Sequence, residues 1–282
     1  MWSFKESIQY LEEKLIIINN GKKYGQIVFL AGGAGSGKSF AKDNFMEGEK
    51  FKIRDVDEWK KTFLKIHKLT GKHPELKGLD LMKPEDVGKM HSFILKKGIK
   101  DKVMDSMLSQ LKNKETLPNL MFDITFNDIK KVKPMLPDLL RAGYNPANIH
   151  IIWVLQKYSI ALKQNKDRDR IVPDDIMFST HEGAGQTLYD LLSGKSKSLI
   201  QANGSIHVIL NNPKNTIFFK SSGNEMDVEK KVIKDFKYLT LKKRGKSMLK
   251  QHIVMKELFF WIMQSIPKGE LLKTMKKLSS ES

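Results

Sequence analysis

The sequence feature that most constrains the fold is the stretch QIVFLAGGAGSGKS at positions 26–39. An apolar run enters a glycine-rich segment with the spacing G-x-x-x-x-G-K-[ST] of a phosphate-binding P-loop. Glycines let successive backbone N–H groups turn toward phosphate oxygens, where a Cβ would obstruct both the dihedral angles and the approach. The stretch therefore predicts a buried strand, a phosphate-binding loop and a helix in direct succession. The fixed positions of the pattern are Gly32, Gly37, Lys38 and Ser39.

The residue types in this loop predict a site for a nucleoside triphosphate. The Lys38 ammonium is expected to lie over the β- and γ-phosphates, and the Ser39 hydroxyl to ligate Mg²⁺. The following helix would direct the positive end of its dipole at the same anion. The predicted nucleotide-binding residues are Gly32, Gly33, Ala34, Gly35, Ser36, Gly37, Lys38 and Ser39.

Alternating strand and helix patterns predict an α/β fold: a P-loop NTPase core with a parallel sheet flanked by helices. Helix patterns follow the loop and each of the next strands, and the apolar character of those strands is typical of buried parallel strands. Two further strand-like segments flank the sequence NNPKN and predict a hairpin. The predicted strands span 27–31, 51–54, 117–124, 149–155, 205–210 and 216–220.

We place a domain boundary after the last predicted strand, where the sequence changes to lysine-rich helical patterns. We predict one P-loop domain at 1–223, with a lysine-rich helical insert at about 58–115. Residues 224–282 are predicted to form a lysine-rich helical extension, whose apolar block LFFWIM at 258–263 is expected to dock on the core. A helix split by Pro134 and Pro137 is predicted at 127–142.

Composition excludes several classes of site and location. The chain has no cysteine, which excludes disulfides, thiolate zinc sites and a cysteine nucleophile. It contains neither an apolar run long enough to span a membrane nor a secretory signal, so a cytoplasmic protein is expected. The net charge of +18 is compatible with nucleic acid as a partner. However, arginine occurs at only five positions, and lysine in such excess can equally be a solvated surface.

Acidic and hydroxyl side chains follow the second and third predicted strands, where ligands of parallel sheets bind. Asp123 is predicted to meet Mg²⁺, although it could instead cap its strand. Asp57 is the candidate general base, with an N-cap of the following helix as the alternative. Asp55 lies two residues earlier and would point the same way as Asp57, so it is a candidate substrate contact. One of the two aspartates could instead take a structural or metal role. Thr125 follows Asp123 at the same sheet edge.

Two of the five arginines lie in the segment NKDRDRIVPDD at 165–175. In a loop that closes over a nucleotide, Arg168 and Arg170 would neutralise charge on a transferred phosphoryl group. The alternative is a solvated loop whose charges pair with one another. His181, a few residues later, is interpreted as a helix-capping or surface histidine.

Together the P-loop, the D-x-D after the second strand, the acidic residue and threonine after the third, and the R-x-R-x-V-P segment resemble the zeta-toxin group of P-loop kinases. Polynucleotide kinases are the neighbouring family. The resemblance covers about residues 26–192 and implies a five-stranded parallel core, with ATP and Mg²⁺ as the phosphate donor. It also implies transfer of the γ-phosphate to a hydroxyl, which in zeta toxins belongs to a UDP-linked amino sugar.

By the same resemblance, Asp57 is the base, Thr125 contacts the substrate, and Arg168 and Arg170 are the pair that neutralises phosphate charge; Lys38, from the P-loop pattern, completes the predicted catalytic residues. The chain departs from the family at Asp123, where glutamate is more usual, and in its C-terminal extension. From the resemblance, a small-molecule or nucleotide-sugar acceptor is the first expectation. The alternatives are a polynucleotide 5′-hydroxyl kinase and a nucleic-acid-stimulated ATPase, although Ile124 stands where a motor would carry a second acidic residue.

Overall fold

The structure is a computed structural model of the 282-residue chain. It describes residues 24–46, 51–54, 56–99, 101–102, 105, 117–168, 170–194, 201–211, 217–218, 233–235, 237–248 and 252–280.

A mixed six-stranded sheet forms the centre of the described part of the molecule. Its strands are β1 Ile27–Ala31, β2 Lys52–Arg54, β3 Leu120–Asp123, β4 Ile149–Leu155, β5 Ile206–Leu210 and β8 Lys237–Lys242. They lie side by side in the order β2-β3-β1-β4-β5-β8. The first five of these strands run parallel, and β8 is antiparallel to β5. This confirms the predicted α/β class and the five-stranded parallel core. Two further strands, β6 Ile217–Phe218 and β7 Ile233–Asp235, pair in a separate ribbon.

Helices connect the parallel strands and cover the sheet. Short 3₁₀ turns at Pro74–Leu76, Ile129–Lys131 and Pro146–Asn148 complete the connections. None of the helices in the described ranges is long and apolar enough to cross a membrane. The helices are α1 Lys38–Phe45, α2 Val56–Thr70, α3 Pro84–Lys96, α4 Met135–Arg141, α5 Tyr158–Lys166, α6 Asp174–Leu192, α7 His252–Ser265 and α8 Glu270–Ser280.

Strand β1 is the middle of the parallel core and is buried along its whole length. It pairs with β3 on one side and β4 on the other, so that Leu30 lies opposite Asp123 and Ile152. Residues alternate between the two faces of a strand, and each face of β1 has its own apolar cluster. On one face, Phe29 packs in a cluster with Phe122, Trp153 and the C-terminal helices. On the other face, Leu30 packs in a cluster that includes Ala41 of α1.

Two sequence predictions need correction at the far edge of the sheet. The predicted hairpin between 205–210 and 216–220 is wrong, because β5 pairs with β4 and β8 and not with β6. An apolar strand pattern shows that β5 is buried but does not identify its partners. The segment 224–282, predicted to be helical, contains β8 before α7 and α8. The domain boundary at 223 stays a prediction.

The other organisational predictions agree with the described residues. Leu258 and Ile262 of α7 lie in the main core, so the LFFWIM block docks there as expected. The proline-containing segment 127–142 is split into a 3₁₀ turn and α4. Helices α2 and α3 of the insert share a small cluster of their own around Phe93.

A buried polar network lies at the amino ends of the strands, opposite the glycine loop. His150 accepts the Ser205 N–H at Nδ1 (2.9 Å), and its Nε2 is 3.1 Å from Gln26 Oε1. The hydroxyl oxygen of Ser205 lies 2.9 Å from His207 Nε2, so Ser205 contacts both histidines. Burial lowers the pKa of His150 to about 3, with a further contribution from His207, and burial lowers the pKa of His207 to about 4. Both rings are therefore neutral in the folded protein near neutral pH.

We expect the free energy of unfolding to fall when the pH drops below about 6.5. Below that pH the histidines of the unfolded chain bind protons, whereas His150 and His207 in the folded protein do not. Each of these histidines therefore lowers the free energy of unfolding by about 1.4 kcal/mol per pH unit. Urea unfolding between pH 7.5 and 5 measures this slope. His150→Gln should reduce the slope by one proton relative to the wild type. Equal slopes for the wild type and His150→Gln would contradict the assignment.

Candidate nucleotide-binding site

The glycine loop leaves the carboxyl end of β1, between β3 and β4, where the sheet offers a crevice for ligands. Gly37 has φ 90° and directly precedes α1, a conformation that residues with a Cβ rarely adopt. A Cβ on Gly37 would also collide with the Asn211 amide. A Cβ on Gly33 would lie 2.5 Å from the His181 ring. The glycines thus allow both the turn and the close packing of its surroundings.

Lys38 is the first residue of α1, and its side chain folds back over the loop. Its Nζ donates to the carbonyls of Gly32 (3.0 Å) and Gly33 (3.2 Å). The same Nζ lies 3.8 Å from Asp123 Oδ1 at the end of β3. Ammonium and carboxylate are both largely buried, so the loop and the neighbouring strand present opposite charges side by side.

Ser39 lies in the first turn of α1 and is exposed. The backbone N–H groups of a first helical turn have no acceptor within the helix, and the helix dipole adds positive potential there. The loop and the start of α1 therefore form an environment that favours an anion, next to the Lys38 ammonium.

Thr125 is in direct contact with the beginning of the loop. Its carbonyl accepts the Gly32 N–H at 3.4 Å, and its hydroxyl donates to Asn127 Oδ1 at 3.1 Å. The next residue, Phe126, has φ 54°, which is uncommon for a bulky side chain. Its ring is buried, with centroids 5.0 Å from Trp153 and 6.4 Å from Phe29, and this packing holds the strained turn.

Arg168 and Arg170 lie half-buried in the loop between α5 and α6. The buried Asn165 side chain anchors this loop, donating to Val172 O (2.7 Å) and accepting the Val172 N–H (3.0 Å). Val172 belongs to an apolar cluster with Ala161 and Met177, against which Ala34 of the glycine loop packs. One end of the arginine segment is therefore fixed beside the glycine loop.

Of the two aspartates that follow the second strand, Asp55 and Asp57, the structure describes only the backbone of Asp57. Asp55 and the Asp57 side chain lie outside the described residues, and the backbone of Asp57 is in the first turn of α2. Strand β2 ends with Arg54 opposite Phe122, one residue before Asp123, so α2 begins at the same sheet edge. The roles of Asp55 and Asp57 stay predictions.

Three residues that hold the loop were missed by sequence reasoning. Asn211, directly after β5, donates to Ser36 O at 2.8 Å. Thr180 accepts the Ala34 N–H at 3.3 Å, and His181 lies 2.7 Å from Ala34 O. The interpretation of His181 as a surface residue is wrong, because it is 3% exposed in the middle of α6. The alternative of a helix-capping residue agrees with its contact to another helix, since its Nδ1 lies 2.9 Å from the carbonyl of Ser265, the last residue of α7. The small residues that follow it, GAG at 183–185, signalled a closely packed helix.

A divalent metal has a suitable but sparse donor set here. The hydroxyl of Ser39 and the carboxylate of Asp123 are the two predicted ligands, and no group of three or more His, Asp or Glu residues forms a metal cluster in the described ranges. Mg²⁺ is usually held by one or two carboxylates, together with water and substrate phosphates. The residues present therefore fit Mg²⁺ bound with a nucleotide.

No family model matches the sequence, and no curated protein matches it. Among solved structures, the chain is similar to one from the PezAT chromosomal toxin–antitoxin system of Streptococcus pneumoniae. That pair is 15% identical with a TM-score of 0.42, over 100% of this chain and 95% of the other. It is also similar to a chain of the AvrRxo1-ORF1:AvrRxo1-ORF2 complex, described with sulphate ions and with ATP. These pairs are both 9% identical, with TM-scores of 0.47 and 0.46, over 98% of this chain and 83% of the other. Because these TM-scores are below 0.5, the fold assignment rests on strand order, register and loop geometry.

We expect Asn165→Ala to destabilise the protein by about 2–4 kcal/mol, because it leaves the buried N–H and C=O of Val172 unpaired. Urea unfolding measures the loss, and hydrogen exchange at residues 170–172 should become faster. Gln164→Ala, at an exposed position of the same helix, is the control. If Asn165→Ala were no less stable than that control, the anchoring role would be wrong.

Proposed function

We propose that this chain is an ATP-dependent phosphotransferase that moves the γ-phosphate of ATP to a hydroxyl of a small-molecule acceptor, such as a nucleotide sugar. The observation that carries the proposal is the glycine loop at the carboxyl end of β1, with Lys38 Nζ between its carbonyls and the Asp123 carboxylate. These groups match what a triphosphate and its metal require.

In this proposal the triphosphate binds along the loop and the first turn of α1. The N–H groups of that turn donate to phosphate oxygens, and Lys38 exchanges its contacts with Gly32 and Gly33 for the β- and γ-phosphates. Ser39 and Asp123 would hold Mg²⁺, which when bound supplies positive charge to the phosphates. Asp123 also balances the Lys38 charge at the loop.

Transfer requires a base and a means to neutralise charge. Asp57 is proposed to accept the proton of the acceptor hydroxyl. At the same time the oxygen of that hydroxyl bonds to the γ-phosphorus, and the bond between the γ-phosphorus and the bridging oxygen of ADP breaks. Arg168 and Arg170 are proposed to neutralise charge on the phosphoryl group in transit. The anchored end of their loop beside Ala34 supports this role.

The acceptor site is proposed to lie between the insert and the arginine loop. The Ile171 N–H donates to Leu81 O at 3.3 Å, which links the two segments directly. Arg54, half-buried between the rings of Trp59 and Phe122, carries positive charge at the same sheet edge. An acceptor with its own phosphate groups suits such a surface, as a nucleotide sugar does.

A 5′-hydroxyl end of a polynucleotide is the second candidate acceptor. The net charge of +18 favours it, because a basic surface attracts the phosphate backbone and raises association rates. The two candidates differ in salt dependence, since polynucleotide binding weakens steeply as salt rises.

Transfer of labelled γ-phosphate from ATP to a panel of UDP-sugars, nucleosides and 5′-hydroxyl oligonucleotides tests the proposal. We expect a labelled small-molecule product with the wild type and none with Lys38→Ala. Asp57→Asn should reduce turnover by about 10²–10⁴-fold while ATP still binds. Full activity of Asp57→Asn would refute its role as the base. Label on oligonucleotides alone would favour the second candidate, and DNA- or RNA-stimulated hydrolysis without any acceptor would favour an ATPase.

Replacing both loop arginines should slow transfer with little loss of ATP binding. Arg168→Ala with Arg170→Ala is expected to lower turnover by a factor on the order of 10³, the scale of arginine effects on phosphoryl transfer. Single-turnover kinetics separate this effect from binding. Arg141→Ala is the matched control, because that exposed arginine pairs with Asp138 on α4. Equal rates for the control and the double variant would contradict the proposed role.

A further inference from the structure

His181 joins the glycine loop to the end of a C-terminal helix. Its Nε2 is 2.7 Å from Ala34 O in the loop, and its Nδ1 is 2.9 Å from Ser265 O, the last residue of α7. The ring packs edge-on against Tyr158, with centroids 5.2 Å apart. The absence of a side chain at Gly33 leaves space for the ring against the loop.

Residues of α6 hold both the backbone N–H and the backbone carbonyl of Ala34. Thr180 gives its hydroxyl proton to Ile176 O (2.7 Å), which leaves its oxygen to accept the Ala34 N–H at 3.3 Å. His181 binds the Ala34 carbonyl from the next position of the helix. Ala34 is therefore held from both sides, and the shape of the loop beyond it depends on α6.

The other contact of His181 satisfies the end of α7. Carbonyls in the last turn of a helix have no acceptor role within the helix, so the Ser265 carbonyl needs an outside donor when buried. Ser265 is buried, and His181 Nδ1 lies where that donor must be. Ile266, the next residue, is in such close contact with α6 that a Cβ on Gly185 would collide with it.

A single histidine can donate to both carbonyls only as an imidazolium. A neutral ring carries one N–H, so its other nitrogen would direct a lone pair at a carbonyl oxygen. Burial lowers the pKa of His181 and the Lys38 charge lowers it further, while the bonds to Ala34 and Ser265 act in the opposite direction. The groups that face the ring are Lys38 from α1, the Ala34 carbonyl from the glycine loop, Tyr158 from α5 and the Ser265 carbonyl from α7.

Phosphates bound beside Lys38 would change this balance. Their negative charge offsets that of the ammonium and so favours a proton on the nearby imidazole. The protonated ring then donates to Ala34 and Ser265 together, and charge-assisted hydrogen bonds are the stronger kind. Nucleotide binding would therefore strengthen the link between the loop and α7.

We propose that His181 is a positioning residue that takes up a proton when nucleotide binds and thereby couples the glycine loop to the C-terminal end of α7. The proposal rests on the proposed nucleotide site. Coupling between two sites is reciprocal. If bound nucleotide stabilises the end of α7, then a substitution that destabilises that end must lower the affinity for nucleotide.

Calorimetry with the wild-type chain tests proton uptake without any variant. Binding of Mg-ADP and of the non-hydrolysable analogue AMP-PNP is measured between pH 6 and 7.5 in two buffers that differ in ionisation enthalpy. We expect uptake of up to about one proton per nucleotide, because one imidazole is titrated. Nucleotide binding with no proton uptake would overturn the role of His181 alone. A wild-type chain that binds neither nucleotide would refute the proposed function instead.

Two substitutions then test the two ends of the link. His181→Phe keeps the ring against Tyr158 but removes both donors, so proton uptake should vanish and affinity fall about tenfold. Gly185→Val displaces Ile266 without touching the loop, and should also weaken binding. Combined with His181→Phe, it should add little further loss, because both act through one link. Gly88→Val is the control, since a side chain there meets open space on α3.

Hydrogen exchange provides the readout at the far end. Amides at 258–266 should exchange more slowly when AMP-PNP binds to the wild type, and not when it binds to His181→Phe. Proton uptake or slowing retained in His181→Phe would overturn the proposal. Should that variant fail to fold, His181→Gln takes its place, because its amide can donate but cannot take up a proton. Independent losses from Gly185→Val and the His181 variant would likewise contradict the link.

Discussion

The parallel pairing of β1 on both sides is the constraint on which the rest of the structure depends. Every residue of this strand is buried, so its backbone groups must be satisfied by β3 and β4, and its side chains by a cluster on each face. The chain can leave this layer only at the sheet edge. The glycine loop lies at that exit, and its position relative to Asp123 and Thr125 follows from the register of the three strands.

The loop's own shape is set by neighbours that are distant in sequence. Thr180 and His181 hold the backbone N–H and carbonyl of Ala34, and Asn211 holds the carbonyl of Ser36. Glycines at 33 and 37 let these groups approach, because a Cβ at either position would occupy their place. The loop thus combines internal freedom with external support, which gives it a defined geometry although it has few side chains of its own.

What could be predicted from the sequence was local, and what was missed required distant contacts. The spacing of Gly32 to Ser39 and the apolar run before it identified the loop, the strand and the helix, because each depends on adjacent residues. Asp123 and Thr125 followed from the rule that sites form at carboxyl ends. The roles of Asn211 and His181 arise from separations of 175 and 147 residues along the chain, which no spacing reveals. The same limit explains why the predicted hairpin is wrong, because the apolar pattern of β5 indicates that the strand is buried but does not identify the strands that pair with it.

The antiparallel strand β8 has a consequence for how the chain is made. Strand β5 receives its outer neighbour only after the segment between positions 210 and 237 has been synthesised. At about 5–20 residues per second, its outer backbone groups stay unpaired for roughly one to five seconds. An apolar strand with one open side is a template for pairing with another chain. A nascent chain that stalls in this interval therefore presents an open strand edge, because neither β8 nor the helix that follows it has yet been synthesised.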